Sequence, residues 1–216
     1  MRYRTEREIQ SKSLLKEGDY LSIREMLKRI NRLIPDKKIL AELDSENNIV
    51  YHTASDIYEE VMNLGEGMLE VGLKDAHIAI VSENCYRYVI ADICISSGVG
   101  VVTPVDVNAP VQLMATLLEK CDADAVICGA EQIDTIREVQ QYCPRLKEII
   151  TMDRKVEGYC SYDELVEAGK KRTDNSIYRN IILDDLNLFL HILNISYPLI
   201  AWDFVQDRIS QLNEPI

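Results

Sequence analysis

From residue 36 onward, apolar and polar stretches alternate regularly along the chain. Ile39–Leu43 and Ile49–Tyr51, separated by Asp44-Ser-Glu-Asn-Asn48, predict a β-hairpin with a turn of about five residues. Thr53-Ala-Ser-Asp56 has the form of a capping box, an acid three residues after a hydroxyl. Beyond it Ile57, Val61, Leu64, Met68 and Val71 recur at spacings of 4, 3, 4 and 3. That is the stripe of an amphipathic helix, with Gly72 placed to cap its end. Four short apolar runs follow: His77–Val81, Gly100–Thr103, Ala125–Cys128 and Glu148–Met152, with centres about 24 residues apart. Helical patterns fill the gaps. Asn84 is placed to cap the first, which carries Tyr86, Val89, Ile90, Ile93 and Cys94 and stops at Gly98. Asn108 with Pro110 starts the second, which carries Leu113, Leu117 and Leu118. The third runs from about Glu131 through Ile133, Ile136 and Val139 to Pro144. Short, continuously apolar strands, each followed by a helix, predict a parallel sheet with right-handed crossovers. The fold class read from the pattern is α/β: a parallel βαβ sheet with a four-stranded core, flanked by helices.

Both flanks of this core differ from it. Ser22 opens a helical pattern with Ile23, Leu27, Ile30 and Ile34 on one face and Arg24, Lys28, Arg29 and Arg32 elsewhere. Ser161-Tyr-Asp-Glu164 is a second capping-box form, opening a short helix that ends near Lys170-Lys-Arg172. Residues 177–201 are strongly apolar, but Asn187, His191, Asn194, Ser196 and Pro198 interrupt them, so they do not read as a membrane span. Leu199, Trp202, Val205, Ile209 and Leu212 then follow an amphipathic helical spacing. The chain therefore divides into a basic N-terminal helical arm (1–38), an α/β core (39–172) and a divergent apolar tail (173–216).

Charge sharpens that division. Residues 1–38 hold eleven Lys/Arg against six Asp/Glu, whereas the remainder holds thirteen against thirty. The arm is thus expected to lie electrostatically on an acidic body and its apolar face to dock, with a separate anionic partner for the arm as the alternative. A net charge of −12 over 216 residues argues against nucleic acid or an anionic membrane as partner, since both select basic surfaces. With 47% hydrophobic and 28% charged residues the composition is globular, neither disordered nor collagenous.

Catalytic chemistry is hard to find. The six cysteines, at 85, 94, 121, 128, 143 and 160, form no CxxC pair, and His52, His77 and His191 do not cluster with them, so no sequence-local metal site is expected. Free thiols and an N-terminus without a signal-like apolar core predict a cytoplasmic protein. A nucleotide site on such a sheet needs a glycine-rich turn between a strand and a helix. Gly65-Glu-Gly67 lies inside a helix, Gly98-Val-Gly100 lies between a helix and a strand, and no glycine follows Gly169. The pair Asp184-Asp185 fits a cap or a turn as well as a metal. The strand ends Ser82–Asn84, Pro104–Asn108 and Gly129 are where an open α/β sheet forms a ligand crevice, but they hold no catalytic set.

Over residues 53–153 the sequence resembles the N-terminal part of the AMP-forming acyl-CoA synthetases, closest in flavour to the long-chain fatty-acid CoA ligases. The run comprises Thr53-Ala-Ser-Asp-Ile-Tyr58, Leu69-Glu-Val-Gly-Leu73 and His77-Ile-Ala-Ile-Val-Ser-Glu-Asn84. It continues through Gly98-Val-Gly-Val-Val-Thr-Pro-Val105, Ala123-Asp-Ala-Val-Ile127 and Pro144-Arg-Leu-Lys-Glu-Ile-Ile-Thr-Met-Asp153. Each piece is degenerate, but their order and spacing are specific. The resemblance implies the synthetase N-terminal fold and, for an intact member, ATP, Mg and CoA as co-reactants in making acyl-AMP and then acyl-CoA.

In that family a loop of the form Thr-Ser-Gly-Thr-Thr-Gly-x-Pro-Lys-Gly grips the ATP phosphates. Asp184-Asp-Leu-Asn-Leu-Phe-Leu-His191 looks like the approach to it, after which the chain reads Ile192-Leu-Asn-Ile-Ser-Tyr197 and the loop is missing. The adenine motif and the C-terminal domain with its lysine are missing as well. No catalytic, cofactor-binding or metal-binding residue of the family therefore carries over, and the chain is expected to be inactive by itself and to need no cofactor. It is expected to be a truncated ligase whose tail from Ile192 arises from a reading-frame shift, and to self-associate through apolar surface left bare. A free-standing α/β interaction or regulatory module built on the same frame is the alternative.

Overall fold

The computed structural model describes residues 22–172 and 177–181. Helix α1 (Ile23–Leu33) leads into a hairpin, β1 (Lys38–Leu43) and β2 (Ile49–Thr53), and then α2 (Ala54–Glu70). Next come β3 (Ala76–Val81), α3 (Tyr86–Cys94), a π-helical turn (Ile95–Val99), β4 (Gly100–Pro104) and α4 (Val111–Lys120). The core closes with β5 (Ala125–Cys128), α5 (Ile133–Gln140), β6 (Glu148–Thr151), β7 (Cys160–Ser161), α6 (Tyr162–Lys170) and a 3-10 turn (Tyr178–Asn180). The expectations for Asp184-Asp185, for the run to His191 and for the helical spacing from Leu199 lie outside the described residues.

The sheet is parallel throughout, with order β4-β3-β5-β6-β7. The α/β expectation holds, with one strand more than the four read from the sequence. Cys160–Ser161 pairs with Ile150 and Thr151, a bridge of two residues too short to leave a hydrophobic signature. The apolar continuity of the strands follows from burial on both faces. Along β3, Ile78 and Ile80 join a core with α2, α3 and α6, whereas Ala79 and Val81 join a second core with α4 and α5. The hairpin forms its own two-stranded sheet and is tied to the first core by Leu40 and by His52, whose ring stacks on Tyr86 at 3.5 Å.

Both capping boxes are present. The Asp56 amide donates to the Thr53 hydroxyl, while the Asp56 carboxylate accepts from the Thr53 amide at 2.8 Å. Ser161 and Glu164 repeat the arrangement at α6. The bonds from the Thr53 amide and then its hydroxyl hold the Asp56 carboxyl below the usual carboxylate range. A group whose pKa is depressed on folding stabilises above its unfolded pKa, and that contribution is lost as pH falls through the folded value. Thr53→Ala is expected to cost about 1 kcal/mol at neutral pH. The gap from the parent should narrow below pH ~4, where Asp56 protonates first in the unfolded chain and only at lower pH in the folded one. Thermal melts of both proteins at neutral and acid pH check it.

Two expected caps are not formed. Helix α3 begins after Cys85 rather than Asn84, and Cys85 makes no side-chain cap bond. Helix α4 begins after Pro110, while the Asn108 amide donates instead to the Asp106 carboxylate at 2.9 Å. In both cases the candidate residue is held in the loop before the helix. The α-helical run of α3 also ends earlier than expected, at Cys94, and the π turn carries the chain to Gly98, whose φ of +133° suits glycine alone.

Helix α1 departs further from its pattern. Leu27 is buried as expected, but so is Arg24, assigned to the polar side. Its guanidinium donates to the Ser97 carbonyl and to the Tyr178 carbonyl, each at 2.7 Å, and lies 4.0 Å from the centre of the Tyr178 ring. Tyr178 in turn donates from its hydroxyl to the Cys94 carbonyl at 2.6 Å. The buried Glu66 carboxylate accepts from the Ile177 and Tyr178 amides. The docking of α1 is thus made by a buried cation as well as by an apolar face.

Candidate functional site

The sheet order decides where a ligand crevice can form. From β3 the chain moves outward to β4 through α3 on one face, then returns across β3 to β5 through α4 on the other. The loops after β3 and β4 therefore leave in opposite directions and part at the C-terminal strand ends. Between them lies a cavity of about 280 Å³. It is lined by Ser82, Glu83, Asn84, Tyr88, Pro104, Val105, Asp106, Val107 and Asn108. Two of the three segments read from the sequence are thus brought together. Gly129, at the end of β5, is absent from this lining. There the Ala130 amide donates to the Asp153 carboxylate at 2.7 Å.

Tyr88 is the lining residue that sequence reasoning missed. It stands one turn after Asn84, so a helix starting at that loop returns it to the crevice. Burial, and then the charge of Asp92, push its phenol pKa up. Asp92 is raised by burial too, and its Oδ1 has no hydrogen-bond partner among the described residues.

The chemistry available in the crevice is limited. Among the described residues its lining carries the carboxylates of Glu83 and Asp106 and no lysine, arginine or histidine. The Ser82 hydroxyl donates to the Glu83 carbonyl rather than to a base. A phosphate group needs several convergent N–H donors and usually a cation, whereas this lining sets two carboxylates beside the side-chain amides of Asn84 and Asn108. Elsewhere, burial pushes the Cys94 and Cys128 thiols up to about 12, so neither supplies a thiolate at neutral pH. The His77 ring bonds the Cys121 carbonyl at 2.6 Å and the His52 ring bonds Glu42 at 3.0 Å, both as parts of the packing. Among the described residues no three His, Cys, Asp or Glu side chains are grouped to hold a metal ion. No helix among them is long and apolar enough to cross a membrane.

The glycine pair inside α2 is explained by packing. A Cβ on Gly67 would collide with the Leu165 carbonyl, and one on Gly169 with the Asn63 carbonyl, because α2 and α6 cross with their backbones in contact. Gly65 lies under the Tyr178 ring. Gly67 and Gly169 let the two helices approach each other, and Gly65 makes room for the ring.

A family model described as AMP-binding enzyme matches residues 23–185, which is most of the chain. The chain belongs to the AMP-binding enzyme family. No curated protein matches the sequence. Among solved structures, one assigned as a long-chain-fatty-acid CoA ligase from Rhodopseudomonas palustris is similar with a TM-score of 0.59 and 19% identity, over 67% of this chain and 36% of that one. An anthranilate CoA ligase in complex with anthranoyl-AMP gives 0.61 and 16%, over 71% and 30%. The acetoacetyl-CoA synthetase of Streptomyces lividans gives 0.60 and 15%, over 67% and 25%. At these identities the likeness is one of fold. The chain spans between 25% and 36% of the length of these three structures.

Proposed function

We propose that this chain forms the N-terminal frame of an AMP-forming acyl-CoA ligase, of the long-chain fatty-acid class, and does not make acyl-adenylate by itself. The observation that carries the reading is the crevice at the β3–β4 strand ends. It sits at the point of an AMP-binding-family sheet where a ligand would be received, yet among the described residues its lining presents carboxylates and no cation. The long-chain class is favoured by the motif resemblance and by the likeness in fold to the long-chain-fatty-acid CoA ligase of Rhodopseudomonas palustris. No catalytic, cofactor or metal residue is assigned to this chain, and ATP, Mg and CoA belong to the intact enzyme. The 1–38 arm and the 173–216 tail flank the 39–172 core, and each contributes to its packing, Leu27 from the first and Tyr178 from the second. The chain acts in the cytoplasm, a reading supported by six free cysteines. Self-association is part of the proposal, since exposed apolar residues remain on the hairpin. Calorimetry with Mg-ATP tests the first part. No binding in the micromolar range is expected, and a micromolar dissociation constant would overturn it.

A further inference from the structure

The hairpin carries an apolar face turned away from the body. Its register sets Leu43 opposite Ile49 and Ala41 opposite Tyr51, while Leu40 and His52, paired on the other side, face inward. Ile39, Leu43, Ile49 and Tyr51 are between 44% and 63% exposed. The charges flanking this face are sorted by end. Lys37 and Lys38 stand at the base, partly offset by Asp36, and the Lys38 ammonium lies 4.1 Å from the centre of the exposed Tyr51 ring. Asp44 and Glu46 stand at the tip, in the turn that the Asp44 carboxylate organises by accepting from the Glu46 and Asn48 amides. A strand of six residues is about 20 Å long, so one hairpin cannot bring its own two ends together.

A surface that is apolar in the middle, basic at one end and acidic at the other complements itself when reversed. We infer that a second copy of this chain packs on the outer face of the hairpin, antiparallel about a two-fold axis, so that Lys38 of each copy meets Glu46 of the other. This rests on the self-association proposed above and names its surface. The face is small. About 20 Å by 10 Å gives roughly 200 Å² per copy, well under the ~800 Å² per partner of a standard stable interface. The net charge of −12 also opposes the approach of a second chain. The dimer is therefore weak and concentration-dependent, with the ion pairs fixing its orientation.

Sedimentation velocity on the full chain, from micromolar to near-millimolar concentration, tests this with Lys38→Glu, Glu46→Lys, the double variant and Leu43→Ser. All three positions are exposed, and circular dichroism verifies that each variant keeps the parent fold. Each single variant is expected to weaken association by about tenfold or more, and the double reversal to restore it toward the parent. Rescue within one molecule is ruled out by the distance between the ends. A parent that stays monomeric throughout would overturn both the surface and the self-association. A dimer that ignores these substitutions, or single losses that the double variant fails to restore, would overturn the hairpin arrangement and leave self-association standing.

Discussion

Tyr178→Ala is expected to destabilise the folded chain by about 3–5 kcal/mol, the range for deleting a buried aromatic ring. The ring is fully buried, seated on Gly65, covered by the Arg24 guanidinium and anchored through its hydroxyl to the Cys94 carbonyl. Tyr178 ties together three regions distant in sequence: α1, the α2–α3 layer and the segment after α6. Tyr178→Phe keeps the ring and loses only the bond to Cys94, so it should cost about 1 kcal/mol. Arg24→Met should cost more than Tyr178→Phe. It leaves the Ser97 and Tyr178 carbonyls without their donor, at about 1–3 kcal/mol for each buried group left unpaired. Urea unfolding of the three variants ranks them. Equal small effects would mean that residues 177–181 do not contribute to the fold.

Alanine at Gly67 or Gly169 is expected to destabilise by about 1–3 kcal/mol, although helix propensity alone favours alanine over glycine by about 1 kcal/mol. The sign of the change therefore decides the matter. At both positions the added methyl meets a backbone carbonyl of the facing helix, which cannot move aside as a side-chain tip can. The two substitutions act on one crossing, so the double variant should cost less than the sum of the singles. Thermal unfolding measures all three, and stabilisation by either alanine would contradict the close approach of α2 and α6.

These glycines mark the limit of what the sequence discloses. Gly65-Glu-Gly67 could be excluded as a phosphate loop from its helical setting, but its use required the position of Leu165, about a hundred residues away. Elements governed by local rules were legible: the hairpin from its turn, α2 from its capping box and 4-3-4-3 stripe, the strands from their apolar continuity. Asn84 and Asn108 looked like caps because propensity is local, whereas their loops hold them outside the helices they precede. Arg24 read as polar because its acceptors, on Ser97 and Tyr178, are supplied by tertiary structure. The crevice followed from strand ends alone, since the C-terminal edge of an open α/β sheet is defined once the strands are placed. Tyr88 and the omission of Gly129 depend on how far each loop diverges, which spacing does not encode.

ATP–pyrophosphate exchange, run on the purified chain with Mg-ATP and a panel of short-, medium- and long-chain fatty acids, tests the proposed function most directly. Adenylation needs charge stabilisation where the α-phosphate reacts, and among the described residues the crevice between β3 and β4 carries no cation. Exchange at the level of the protein-free control is expected for every acid. Exchange above that level with any one of them would show that this chain adenylates by itself, and would contradict the reading of it as a frame without the chemistry.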